Sequence, residues 1–131
     1  MAGGDSPYSE DWFRVAEEDL QRVGRRLAEE DVADAAFRLQ QAIEKCLKGF
    51  LLSRGWRLQR IHDLEVLLDE ALPYAPKLRR YRLLCQEVAA YYIVERYPTL
   101  EEHPSLVEVR AAYGQVRKLF ADIRGGMRGR G

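Results

Sequence analysis

The chain has 131 residues, enough for one domain with a real core and too few for two comfortable ones. Apolar residues make up 47% and charged residues 32%, with 21 basic side chains against 21 acidic, so bulk charge predicts neither a nucleic-acid nor a membrane binder. No apolar run approaches the ~20 residues of a membrane span, the first residues MAGGDSPYSED lack the basic-then-apolar order of a signal peptide, and a cytoplasmic protein is expected.

Residues 1–9 read as a flexible N-terminus. Ser9 is the expected cap of a first helix, opened by Glu10 and Asp11, whose apolar stripe is Trp12, Ala16, Leu20, Val23 and Leu27. Asp31 restarts the pattern. Ala36, Leu39, Ile43, Cys46, Leu47, Phe50 and Leu51 then line one side of a second long helix, ending at Gly55, and the two helices should pair as an antiparallel hairpin. A polar loop leads to HDLEVLLDEAL, a short third helix expected as a peripheral prop. Pro76 fits the first turn of a fourth helix carrying Tyr81, Leu84, Cys85, Val88, Tyr91 and Tyr92, and Pro98 sets a boundary after Arg96. Leu106, Val109, Tyr113, Val116, Phe120 and Ile123 mark the last helix, and the Gly/Arg segment 125–131 is expected to be a disordered tail. The fold class is all-α, an up-and-down bundle of four long helices and one short helix over residues 10–124.

Cys46 and Cys85 fall within apolar stripes with no metal-ligand spacing, which predicts buried thiols. There is no Glu-x-x-His, no P-loop and no G-x-G-x-x-G, so no metal and no cofactor is expected.

WFRVAEEDLQRV, AAFRLQQAIEKCLKGFLLSRG, IHDLEVLL and AYYIVERYP, in that order, resemble successive signatures of the HEPN domain family, named for higher eukaryotes and prokaryotes nucleotide-binding. The resemblance covers roughly residues 10–100. It implies a helical bundle that pairs as a homodimer, a minimal nucleotidyltransferase as partner in a toxin-antitoxin-like module, and in many members metal-independent RNase activity. That activity uses an arginine, four to six residues, then a histidine, with two copies meeting across a dimer cleft.

Arg96 and His103 fit that motif at its upper spacing. Arginine supplies a planar, permanent cation for a phosphate, and histidine, with an ordinary pKa near about 6.5, can act as a neutral base. A helix opening at His103 and Pro104 would favour the neutral imidazole further. The plain reading is punctuation: an arginine in a last turn, a histidine before a proline. Two positions depart from the family pattern. Tyr97 stands where RNase members carry a small polar residue, and Ser105 where members modified by their partner carry a tyrosine.

Arg57 and His62 also satisfy the spacing, but lie between the second and third helices, where Asp63 suits a helix cap. Gln41, Glu44, Lys45 and Lys48 share overlapping faces of the second helix; a solvated face is the default, and a dimer, partner or cleft surface the alternative. Asp19, if buried, would need a partner such as Arg96 or Tyr92. Together with Tyr92 and Tyr97 these are the binding or interface candidates. Two functions therefore stand side by side: an endoribonuclease, and a catalytically silent protein- or nucleotide-binding module.

Overall fold

A computed structural model describes residues 6–96 and 104–129, with the side chains of 92–96 and 127–129 outside that description. Five α-helices and one 3-10 helix follow in order: α1 (Ser9–Ala28), α2 (Val32–Ser53), α3 (Leu64–Ala71), a 3-10 turn (Pro76–Tyr81), α4 (Arg82–Arg96) and α5 (Leu106–Gly129). Among the described residues there is no strand, and the chain is an all-α bundle. No helix is long and apolar enough to cross a membrane among these residues.

The predicted stripes become the core. Phe13, Ala16, Val23, Leu39, Ile43, Leu47, Val88, Val116 and Ile123 are buried together in one apolar cluster. Burial of a Val- or Leu-sized side chain stabilises by roughly 1.5–3 kcal/mol, so this cluster is what holds helices too short to persist alone. At its centre lies α2, which packs against α1, α3, α4 and α5. The hairpin of α1 and α2 is tightest at Gly49, where an added Cβ would stand 3.1 Å from the Phe13 ring.

Both hairpin helices end in the same device. After α2, Gly55 adopts φ 87°, its N–H reaches the Leu52 carbonyl, and Trp56 N–H reaches that of Leu51. After α1, Glu30 adopts φ 58° and the same two bonds run from Glu30 to Leu27 and from Asp31 to Arg26. These are Schellman closures; the first was foreseen from Gly55 and the second had no glycine to announce it.

Several expectations change. Tyr8, not Ser9, holds the position before α1 and makes no side-chain cap. Ser6 instead anchors the approach, its hydroxyl donating to Asp11 (2.6 Å) while its carbonyl accepts from the Trp12 indole (2.7 Å). Helix α3 is not a peripheral prop: Leu64, Leu67, Leu68 and Ala71 are at most 1% exposed. Its short length misled, because four of its eight residues face inward. Pro76 opens a 3-10 turn ahead of α4 rather than α4 itself. Helix α5 runs past Ile123 to Gly129, through most of the segment expected as a tail.

The start of α5 differs as well. Ser105 Oγ accepts from Glu108 N–H (3.0 Å) and Glu108 Oε1 accepts from Ser105 N–H (2.9 Å), a reciprocal capping box. Leu106 is thus the first residue of α5, and Pro104 lies ahead of the helix rather than in its first turn.

Candidate functional site

The polar residues of α2 divide into two buried clusters. In the first, Asp19 of α1 is 1% exposed and receives Lys45 Nζ at 2.7 Å, with Arg22 at 3.5 Å and Arg38 at 3.7 Å. Among the described side chains its partners are thus a lysine one helix across and two arginines; those of Arg96 and Tyr92, expected beside it, lie outside the description. The register of the α1–α2 hairpin brings positions 19 and 45 together, although 26 positions separate them in the chain.

The second cluster is built on Glu44. Its Oε2 accepts from Lys48 Nζ at 2.9 Å and lies 2.9 Å from His62 Nδ1, while Oε1 accepts from the Gln40 amide at 3.2 Å. Gln41 donates to Gln40 Oε1 at 2.7 Å. Lys48 is 3% exposed and lies 5.4 Å from the centre of the Trp12 ring, a cation held against an aromatic face. The default reading of this face as solvated therefore fails for Glu44 and Lys48, and Lys45 is drawn inward by Asp19. A helix buried by neighbours on several sides has no fully wet face, so its charges must pair.

His62 is the residue whose contact the sequence did not show. Asp63 does cap α3, accepting from Glu65 and Val66 N–H. The imidazole before it, however, is 73% exposed at its side chain and joined to the buried Glu44. A carboxylate that orients one ring nitrogen is the arrangement that leaves the other for proton exchange. Nothing in the spacing of 44 and 62 announces the contact. Arg57 is exposed in the preceding loop.

Gln41, Glu44, His62, Glu65, Gln86 and Ala89 line an open groove of about 600 Å³ between α2, the start of α3 and α4. Position 96 closes α4 seven residues after Ala89, which is two helical turns and about 10 Å along the same face. The backbone thus carries Arg96 to the end of a helix that walls this groove. Tyr97 and His103 lie outside the described residues, as do the side chains of Tyr92 and Arg96.

A family model, that of the HEPN domain, matches residues 9–125. This chain belongs to the HEPN domain family. The match spans every helix of the bundle except the last residues of α5. No curated protein and no solved structure matches the chain significantly.

Within this HEPN domain the thiols are inert by burial. Desolvation holds the Cys46 thiol protonated far above its ordinary range and pushes Cys85 up to about 12. Tyr91 is raised in the same direction, first by burial and then by its hydrogen bond to Glu87. Among the described residues, no three His, Cys, Asp or Glu side chains are grouped to hold a metal ion.

Proposed function

We propose that this HEPN domain is a homodimeric, metal-independent endoribonuclease of the cytoplasm that works with a minimal nucleotidyltransferase in a toxin-antitoxin-like module. The reading rests on one juxtaposition. Arg96 is the last residue of α4, and the capping box at Ser105 opens α5, so the arginine and the histidine of the motif flank one short connection.

In the proposed reaction, His103 as a neutral base takes the proton of a ribose 2′-hydroxyl. The freed oxygen attacks the adjacent phosphorus, the bond to the 5′ oxygen breaks, and a 2′,3′-cyclic phosphate remains. Arg96 stabilises the negative charge that gathers on the non-bridging oxygens. In a dimer, the second imidazole can carry the proton that the departing 5′ oxygen requires. The base function does not draw on a helix end, because the first turn of α5 begins beyond His103.

Support for the dimer comes from membership of a family whose domains commonly pair. Asp19 is buried against Lys45 within one chain, while the Lys45 side chain stays 24% exposed and open to a partner.

The test is incubation of a mixed RNA pool with the purified protein in chelator, comparing wild type with Arg96→Ala and His103→Ala at matched helicity and dimer mass. Cleavage by wild type and loss in both variants is expected. Equal activity in the variants, or none in wild type, rejects the reading and leaves a binding module whose nucleotidyltransferase affinity those substitutions do not alter.

A further inference from the structure

The cleavage proposed above moves two protons, one off the 2′-hydroxyl and one onto the departing 5′ oxygen. A single chain already holds an imidazole arranged for the second transfer. His62 stands two residues ahead of α3, with its side chain 73% exposed and its Nδ1 2.9 Å from Glu44 Oε2. Glu44 is 8% exposed at its side chain and is held by Lys48 at 2.9 Å and by Gln40 at 3.2 Å. A carboxylate fixed in this way sets the plane of the ring that it touches. The Nε2 atom has no partner among the described residues.

The fold does not need this histidine. Lys48 and Gln40 already satisfy the buried carboxylate, so a ring kept only for structure would add little, and it would not be left mostly in water. The ring instead lines the groove of about 600 Å³. The three carboxylates of that groove are each engaged by the protein. Glu44 meets Lys48, Glu65 accepts from Arg82 at 3.2 Å and from Gln86 at 2.9 Å, and Asp63 accepts from the first N–H groups of α3. None is left unpaired to repel a phosphodiester. The α4 wall of the groove runs from Gln86 and Ala89 toward Arg96, which ends the same helix.

We infer that His62 is the general acid of the cleavage, oriented by Glu44, an inference that rests on the proposed function. Its Nε2–H gives its proton to the 5′ oxygen as the bond from phosphorus to that oxygen breaks. The electron pair of the bond stays on the oxygen, which leaves as a 5′-hydroxyl, and the phosphorus remains in the 2′,3′-cyclic phosphate. The ring, now neutral, regains its proton from water. The donor then belongs to one chain, and no second imidazole has to reach across a dimer. Glu44 touches no reacting atom and is a positioning residue.

The experiment follows cleavage, in chelator, of two oligomers built on a sequence that wild type cuts. One is all-oxygen, and the other carries sulfur in place of the bridging 5′ oxygen at the cut bond. A thiolate departs without a proton, so the second substrate has no need of the acid. Wild type, His62→Gln and His103→Ala are compared, each checked by thermal unfolding, and the exposure of the His62 ring lets its variant fold. His62→Gln is expected to slow the oxygen substrate at least about a hundredfold and to cut the sulfur substrate at the wild-type rate, whereas His103→Ala loses both. A wild-type rate on the oxygen substrate in His62→Gln, or an equal loss on both substrates, overturns the inference and leaves the proposed function standing. No cleavage of any RNA by wild type removes the proposed function, and the role of His62 with it.

Discussion

The two carboxylates buried on the α1–α2 hairpin side of the core look alike in burial and differ in what surrounds them. Asp19 is met by three cations whose side chains are 24–43% exposed, whereas Glu44 is met by a lysine that is only 3% exposed. The first cluster can lose a member and let the others swing into water. The second cannot, because the Lys48 ammonium is enclosed by the core and the Trp12 ring. Equal burial thus conceals unequal dependence, and what decides it is whether the partner has a path to solvent.

The sharpest way to break that contrast is Glu44→Ala. It strands a buried ammonium and should cost about 3–5 kcal/mol, read from urea unfolding, with about half or more recovered in Glu44→Ala/Lys48→Met. Asp19→Ala is expected to cost less, about 1–3 kcal/mol, since Lys45, Arg22 and Arg38 can hydrate. A larger loss for Asp19→Ala than for Glu44→Ala would reverse the comparison. Lys45→Met should fall in the same range of about 1–3 kcal/mol, because it leaves the buried Asp19 carboxylate with only Arg22 at 3.5 Å and Arg38 at 3.7 Å. At the bottom of the scale, His62→Ala should shift stability by no more than about 0.5 kcal/mol, as its ring is mostly in water while Lys48 and Gln40 keep Glu44 satisfied.

The helix ends provide a second pair. Gly55 and Glu30 close α2 and α1 with the same bonds, but only glycine adopts positive φ without strain. Glu30→Gly should therefore stabilise by about 1 kcal/mol in thermal or urea unfolding, while Gly55→Ala should destabilise by a similar amount.

The buried thiols add a pH dependence. An unfolded cysteine titrates near its ordinary value of 9.0, whereas burial lets folded Cys85 keep its proton to about 12. The unfolded chain therefore loses its proton first, and stability falls as pH rises through that window. Below it the contribution is complete. Native protein at neutral pH should leave both thiols unreacted with a thiol reagent until it unfolds.

These pairs also show what could be read from the chain. Helical periodicity was sufficient for the bundle because each stripe, such as Leu39, Ile43, Leu47 and Leu51, reports a single buried face. It failed for Glu44 and Lys48 because α2 is covered on several sides, and a charged residue between apolar rows looks the same in sequence whether it faces water or a neighbouring helix. The Asp19–Lys45 contact depends on hairpin register, which local spacing does not carry. The Ser105–Glu108 capping box has the right residue types in the sequence, but Thr99 and Glu102 repeat the same spacing, and spacing alone does not choose between them. Arg96 was legible as the end of α4; the Glu44–His62 contact was not, since it is made between a helix and a loop.

The most direct measurement of the central claim is analysis of the ends left on RNA by wild-type protein in chelator, with Arg96→Ala and His103→Ala alongside. The account predicts 2′,3′-cyclic phosphate and 5′-hydroxyl ends from wild type and neither from the variants. Ends bearing a 3′-hydroxyl and a 5′-phosphate, or cyclic phosphate formed undiminished by either variant, would contradict it.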